Sequence, residues 1–377
     1  MKALETMQKY YQQRDLDARE WKKKGGRVAG YFCDIVPEEL ILAAGFFPLR
    51  LSGDPWGGTQ AVDVLLFRPA GPPEGFVHSI FNMLLTGEYD FLDYLIIPRT
   101  RVSIQRLYSI LVSLKESNPE LKLPELYFFD NLHTTFLTSQ LYNRDRMYDF
   151  KKKLEEWSGK EITDEALQQA ISVGNENKML LKKVADLRAA EMPRISGVEA
   201  LQIIGSSMFM RKEEHNKLLR QFLEEADRLP TKDGVRLFIE SSPLDNLQFY
   251  ENIESYQAII VGEDNCWGNR YSDVPVDTSL NPMEAIVNRY NNKSPCPYMY
   301  PLKRRVEYLL QNTLDVKAQG VVFNLLEFDD YQRWEIPDQI KTLEKEGIPA
   351  LYLKEQPYLI SEPGLVKTEI RKFIESF

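Results

Sequence analysis

The chain has 377 residues, 43% hydrophobic and 27% charged, with a formal net charge of −9. That composition excludes a collagen, a disulfide scaffold and a mainly disordered chain, and the length allows two or three domains with real cores. The acidic balance gives no global attraction to nucleic acid or anionic membrane, no run reaches the roughly 18 apolar residues of a membrane span, and three cysteines are too few and too scattered for a disulfide framework.

Met1 to Arg27 is polar, with Lys22-Lys23-Lys24 and no apolar stretch after it, so no secretory signal is expected and the chain reads as cytoplasmic. Arg27 to Cys33 (RVAGYFC) is a short apolar run that predicts a buried strand. Asp34 is placed to cap the next segment, Pro37 suits a first helical turn, and Glu38 and Glu39 suit the positive end of its dipole. A helix over Leu40 to Ala44 is stopped by Gly45, and Phe46 to Leu51 is the next strand. This β-α-β unit predicts a parallel sheet. Leu92 to Pro98 and Glu125 to Phe129 are further strands, separated by a helix over Ser103 to Leu114. From about Asn143 to Leu229 the apolar residues recur three and four apart, and strand signals vanish. From Gly234 strands return at Val235 to Ile239, Ala258 to Val261, Gly320 to Leu325 and Ala350 to Leu353.

The two halves align loosely, each reading strand, Pro-containing loop, helix, strand, helix, strand, helix, strand. The expected architecture is α/β: two similar Rossmann- or flavodoxin-like parallel-sheet domains with a helical insert between them. The boundaries are 1–142, 143–233 and 234–377. In parallel sheets ligands bind beyond the carboxyl ends of the strands. The loops to watch are therefore Cys33-Asp34, Pro98 to Val102, Glu240 to Pro243, Glu263 to Arg270 and Glu327 to Asp330.

Those loops carry the chemistry the chain offers. GxxxxGK[ST], GxGxxG at a strand-helix turn, HExxH, CxxC and GxSxG are all missing. His78, His133 and His215 are too scattered to suggest a metal site. Cys33 reads equally as a thiolate at a helix N-terminus or as a buried structural residue. Cys266 lies in a polar loop beside Glu263 and Asp264, which raise a thiol pKa unless a cation or metal offsets them. Cys296 lies in the rigid loop Ser294-Pro-Cys-Pro-Tyr-Met-Tyr-Pro301, which suits a metal ligand or an ordered turn. Arg99 and Arg101 suit a phosphate, a carboxylate or solvent, and Lys303-Arg304-Arg305 suits a nucleotide-like phosphate or solvent. Tyr31, Phe32, Tyr127, Phe128 and Phe129 read as core.

Gly30-Tyr-Phe-Cys-Asp-Ile-Val-Pro-Glu-Glu-Leu-Ile-Leu-Ala-Ala-Gly45 followed by Pro48-Leu-Arg-Leu51 resembles the opening of the 2-hydroxyacyl-CoA dehydratase / benzoyl-CoA reductase family. Trp157 to Asp164, Glu263 to Gly268, Ser294 to Pro297 and Gly320 to Phe323 resemble later blocks, and the length resembles the smaller, beta-type subunit. The resemblance implies a partnership with a related larger subunit and an oxygen-sensitive iron–sulfur cluster at the inter-lobe cleft. It also implies an acyl-CoA substrate and a separate ATPase activator that injects low-potential electrons. On that footing Cys33, Cys266 and Cys296 are the expected ligands of a [4Fe-4S] cluster, one from each loop. The chain departs from the family pattern at three places. Pro98-Arg-Thr-Arg-Val102 and Phe328-Asp-Asp-Tyr331 lack the cysteine of many members, and so does the segment before the helix containing Phe81 to Leu85. The departures open an alternative, a cluster-poor partner that shapes the pocket or docks the activator. Setting the resemblance aside, two lobes around a cleft also suit a glycosyltransferase or a ligand-binding module.

Overall fold

The computed structural model describes residues 1–57, 73–359 and 363–377. All eight expected strands form: β1 Val28–Tyr31, β2 Phe47–Arg50, β3 Tyr94–Pro98, β4 Glu125–Phe129, β5 Val235–Ser241, β6 Ala258–Asp264, β7 Gly320–Leu326 and β8 Ala350–Gln356. They build two four-stranded sheets, ordered β2-β1-β3-β4 and β6-β5-β7-β8, in which every pairing is parallel. The same order in both halves makes each a flavodoxin-like α/β lobe.

Parallel strands need crossovers, and the helices that supply them cover both sheet faces. The inner strands are therefore apolar on both sides. All seven residues of the inner strand β7 are buried, and the edge strand β6 is covered as completely. Each large aliphatic or aromatic side chain so buried contributes about 1.5–3 kcal/mol.

The first crossover shows local sequence at work. Helix Glu38–Ala43 begins after Pro37, which acts as its N-cap at φ −73°, and Gly45 ends it in the left-handed region at φ +77°. Asp34 does not cap this helix. No side chain bonds its N-terminus, and the Asp34 carboxylate goes to the Lys293 ammonium instead, a charged partner that a neutral N–H cannot match.

Four helices lie between the sheets in sequence: Leu137–Ser158, Asp164–Ala189, Gly197–Ser206 and Lys212–Glu225. Ser196 and Glu199 close a reciprocal capping box on the third. Two N-terminal helices, Lys2–Gln12 and Leu16–Lys23, precede β1. The first buries Ala3, Leu4, Met7 and Tyr11, and it packs on Gly197–Ser206. Gly205 makes that approach possible, because a Cβ there would overlap the Tyr11 ring.

Candidate functional site

The carboxyl ends of the two sheets face one another, so their loops meet in one cleft. Arg50, the last residue of β2, reaches the other lobe. Its Nη2 donates to Cys266 Sγ at 2.8 Å, and its Nη1 donates to the Cys266 carbonyl. Arg101, just past β3, donates from Nη1 to Glu74 at 2.8 Å and lies 2.9 Å from Asp329 Oδ2, just past β7. Lys293 pairs with Asp34. Glu38 accepts from Tyr271 at 2.9 Å and sits 3.0 Å from the Lys212 ammonium. The cleft is thus closed by charged and polar pairs, two of which, Arg50–Cys266 and Arg101–Asp329, join strand ends of opposite lobes.

The three cysteines occupy different settings. Cys33 stands at φ +58°, a left-handed conformation rare for a side chain with a Cβ. Its Sγ lies 3.7 Å from Thr100 Oγ1. Burial, and then the neighbouring Cys266 thiol, push its thiol up to about 12, against the opposing pull of Arg50. The helix-dipole thiolate weighed for Cys33 is therefore not favoured, since burial outweighs a six-residue helix that begins only at Glu38. Cys266 is buried, and the acids beside it are committed elsewhere. Glu263 pairs with Arg188, and Asp264 with Arg305 and Arg270. Cys296 faces His133. Burial pushes the Cys296 thiol up, but His133 and Arg270 more than offset it, and the net direction is down. His133 is raised in turn by its contact with Cys296, despite its burial. Its Nε2 meets the Arg99 carbonyl. A carbonyl only accepts, so Nε2 carries the hydrogen and Nδ1 is left for the sulfur.

This donor set does not fit one iron–sulfur cube. Among the described residues no three Cys, His, Asp or Glu side chains are placed to hold a common metal ion. Cys266 Sγ is taken by a guanidinium, and Cys296 is turned to an imidazole. The cavity beside Cys33, walled by Phe32, Arg50, Phe76 and Trp267, measures about 20 Å³, room for about one water. At two of the departures noted in the sequence, the loops past β3 and β7, Arg101 and Asp329 now hold one another.

The remaining charged and aromatic candidates have mostly structural partners. Arg99 makes a half-exposed pair with Asp130 at 3.1 Å. Of the Lys303-Arg304-Arg305 run, Lys303 faces solvent beside Glu307, whereas Arg305 is fully buried. Arg305 pairs with Glu240 and Asp264, each at 2.7 Å, and with Glu335 at 3.2 Å. It is therefore a structural counter-charge and not a phosphate ligand. Burial pushes Glu335 up to about 7 even beside Arg305. His215 is buried and bonded at both nitrogens, to Asn177 at 2.9 Å and to the Ile203 carbonyl at 3.1 Å. Tyr31, Phe32 and Phe129 are core, with the Tyr31 hydroxyl bonded to Glu38; Tyr127 and Phe128 are half-buried.

A cavity of about 920 Å³ opens beside the cleft, within the size range of small-molecule sites. Helix Lys2–Gln12 and the following turn form one wall through Tyr11 and Arg14. The end of β2 supplies Leu49, Arg50 and Ser52, and the second lobe supplies Asn246 and Leu247. Sequence reading missed Arg50 and Arg14. Arg50 did carry a signal: a lone charge at the end of a run that otherwise reads as buried strand.

A family model described as 2-hydroxyglutaryl-CoA dehydratase, D-component, matches residues 33–377. The (R)-phenyllactyl-CoA dehydratase beta subunit of Clostridium sporogenes is 26% identical over 369 residues, covering 95% of this chain and 94% of that one. A benzoyl-CoA reductase subunit of Thauera aromatica is 25% identical over 358 residues, 90% of this chain and 89% of that one. The (R)-2-hydroxyglutaryl-CoA dehydratase beta subunit of Acidaminococcus fermentans is 23% identical over 369 residues, 95% and 94% of the two chains.

Proposed function

The chain belongs to the 2-hydroxyglutaryl-CoA dehydratase D-component family, and from that premise we propose that it is the acyl-CoA-binding, cluster-poor subunit of a dehydratase or reductase of that kind. The observation that carries this reading is the 920 Å³ cavity beside the cleft, lined from both lobes, in a chain whose thiols do not converge on one metal. The subunit works beside a related larger subunit, a reading supported by relatives that are themselves named as single subunits of larger enzymes. The iron–sulfur cluster that the resemblance implies is assigned to that larger subunit, and ATP enters through a separate activator. This chain's own residues bind and orient the thioester. Leu49 and Leu247 give the cavity an apolar wall, and Arg50 brings a positive charge to it, whereas Arg14 is paired with Asp245.

Anaerobic purification of this chain alone and together with its larger partner, followed by iron and sulfide analysis, tests the assignment. Iron is expected in the assembly and only substoichiometric iron in the isolated chain. Stoichiometric iron in the isolated chain that is lost in Cys33→Ser would reject it.

A further inference from the structure

Six arginines are buried among the described residues: Arg50, Arg101, Arg188, Arg270, Arg289 and Arg305. Five of them meet a carboxylate, namely Asp329, Glu263, Asp264, Asp273 and Glu240 respectively. Arg50, only 3% exposed, has no carboxylate oxygen within ion-pair reach among the described residues. A buried cation without an anion is costly, several kcal/mol even after relaxation. Asp34, whose charge reaches Arg50, is committed to Lys293. The compensation Arg50 does receive is partial: a carbonyl, two sulfur atoms and the face of Trp267 at 4.0 Å.

A guanidinium has five N–H groups. In Arg50, Nη1 spends its two on Met208 Sδ and the Cys266 carbonyl, and Nη2 spends one on Cys266 Sγ. Nε–H and the second Nη2–H remain, and these two lie along one edge of the planar group. That edge is a fork for oxygen. The same side chain lines the 920 Å³ cavity, together with Ser52, and walls the small pocket beside Cys33. Arg50 therefore lines the large cavity with two unspent donors.

We infer that Arg50 holds the thioester carbonyl oxygen of the acyl-CoA and stabilises negative charge that builds on it. The inference rests on the acyl-CoA reading above and adds the residue that fixes the reacting end. At 3% exposure the fork is unsuited to the heavily solvated nucleotide phosphates, and the other two arginines of the cavity are already paired, Arg14 with Asp245 and Arg19 with Asp15. Donors preset around a developing oxyanion act most strongly where water is excluded, which is the setting of Arg50.

The test compares benzoyl-CoA with S-benzyl-CoA, which lacks only the carbonyl, and with CoA itself. Binding to the full chain is followed by tryptophan fluorescence and by calorimetry. The wild-type chain is expected to bind benzoyl-CoA about tenfold or more tightly than S-benzyl-CoA, the size of a hydrogen bond to a charged donor. Arg50→Met is expected to erase that preference while holding S-benzyl-CoA and CoA within about threefold of wild type, the residual that loss of one polar contact leaves. Equal wild-type affinity for the two ligands overturns the inference and leaves the acyl-CoA reading standing, whether or not the variant folds. A parallel loss of CoA affinity in Arg50→Met places a phosphate on the fork and also overturns it. No binding of any of the three overturns the acyl-CoA reading, and the inference with it.

Discussion

Arg101 and Arg99 are two residues apart, and the same substitution at each should have very different consequences. Arg101 is 2% exposed and bridges Glu74 and Asp329, whose side chains are 5% and 0% exposed. Arg101→Met strands two buried carboxylates. Removing one member of a buried ion pair costs about 3–5 kcal/mol. The stranded groups are not bare: Glu74 keeps the Ser103 hydroxyl, and Asp329 keeps the Ser242 hydroxyl at 2.6 Å and the Gln332 N–H at 3.4 Å. The low end of the range applies, about 3 kcal/mol, which is more than a hundredfold in the folding equilibrium. Arg99→Met breaks a pair that is 42% and 27% exposed, which is worth about 0–1 kcal/mol. Urea titration followed by tryptophan fluorescence measures both. Equal stability of the two variants, within about 1 kcal/mol, would refute the claim that the buried bridge holds the cleft shut.

Two further outcomes follow from titrating groups. Burial, and then the Lys212 charge, hold His215 at about 3, well below its unfolded value of about 6.5. Nδ1 already accepts from Asn177, so a second proton has no acceptor to meet. The unfolded chain binds that proton first, so the stabilisation is complete above about pH 6.5 and is lost as pH falls toward 3, at up to about 1.4 kcal/mol per pH unit. Denaturation midpoints measured across that window should flatten in His215→Gln; an unchanged slope would remove His215 as its source. At neutral pH, iodoacetamide should label Cys296 before Cys33, and His133→Ala should slow that labelling, as read by peptide mass spectrometry. Cys33 labelled first would contradict the two environments described.

The eight strands were legible because a strand covered on both faces must be apolar almost throughout, and Gly, Pro and Asp mark where it stops. RVAGYFC, LDYLIIP and GVVFNL carry that signature without help from any partner. The cleft was legible only as a set of loops. Nothing near Pro98-Arg-Thr-Arg-Val102 indicates that Arg101 turns inward to Asp329 while Arg99 turns out to Asp130. The Lys303-Arg304-Arg305 run misled for the same reason, since a charge looks solvated until its distant partner is known. His133 was passed over as one of three scattered histidines, because its pairing with Cys296 depends on the approach of two loops far apart in sequence. Helix Lys2–Gln12 escaped notice because its apolar stripe is thin, and its place is set by Gly205 on another helix.

The matching order of the two sheets places unlike residues at equivalent positions. Arg101 lies three residues past the end of β3, and Asp329 lies three past the end of β7, the corresponding strand of the other lobe. Arg50 and Cys266 likewise sit at corresponding ends, those of β2 and β6. In a two-fold pair of identical units, equivalent positions on the axis hold the same residue, so an arginine there would face its own copy and repel it. A positive group meeting a negative one at such a place requires two halves free to drift apart in sequence. Joining both halves in a single polypeptide supplies that freedom. The bridge across this cleft is a contact that a symmetric pair of identical units could not make.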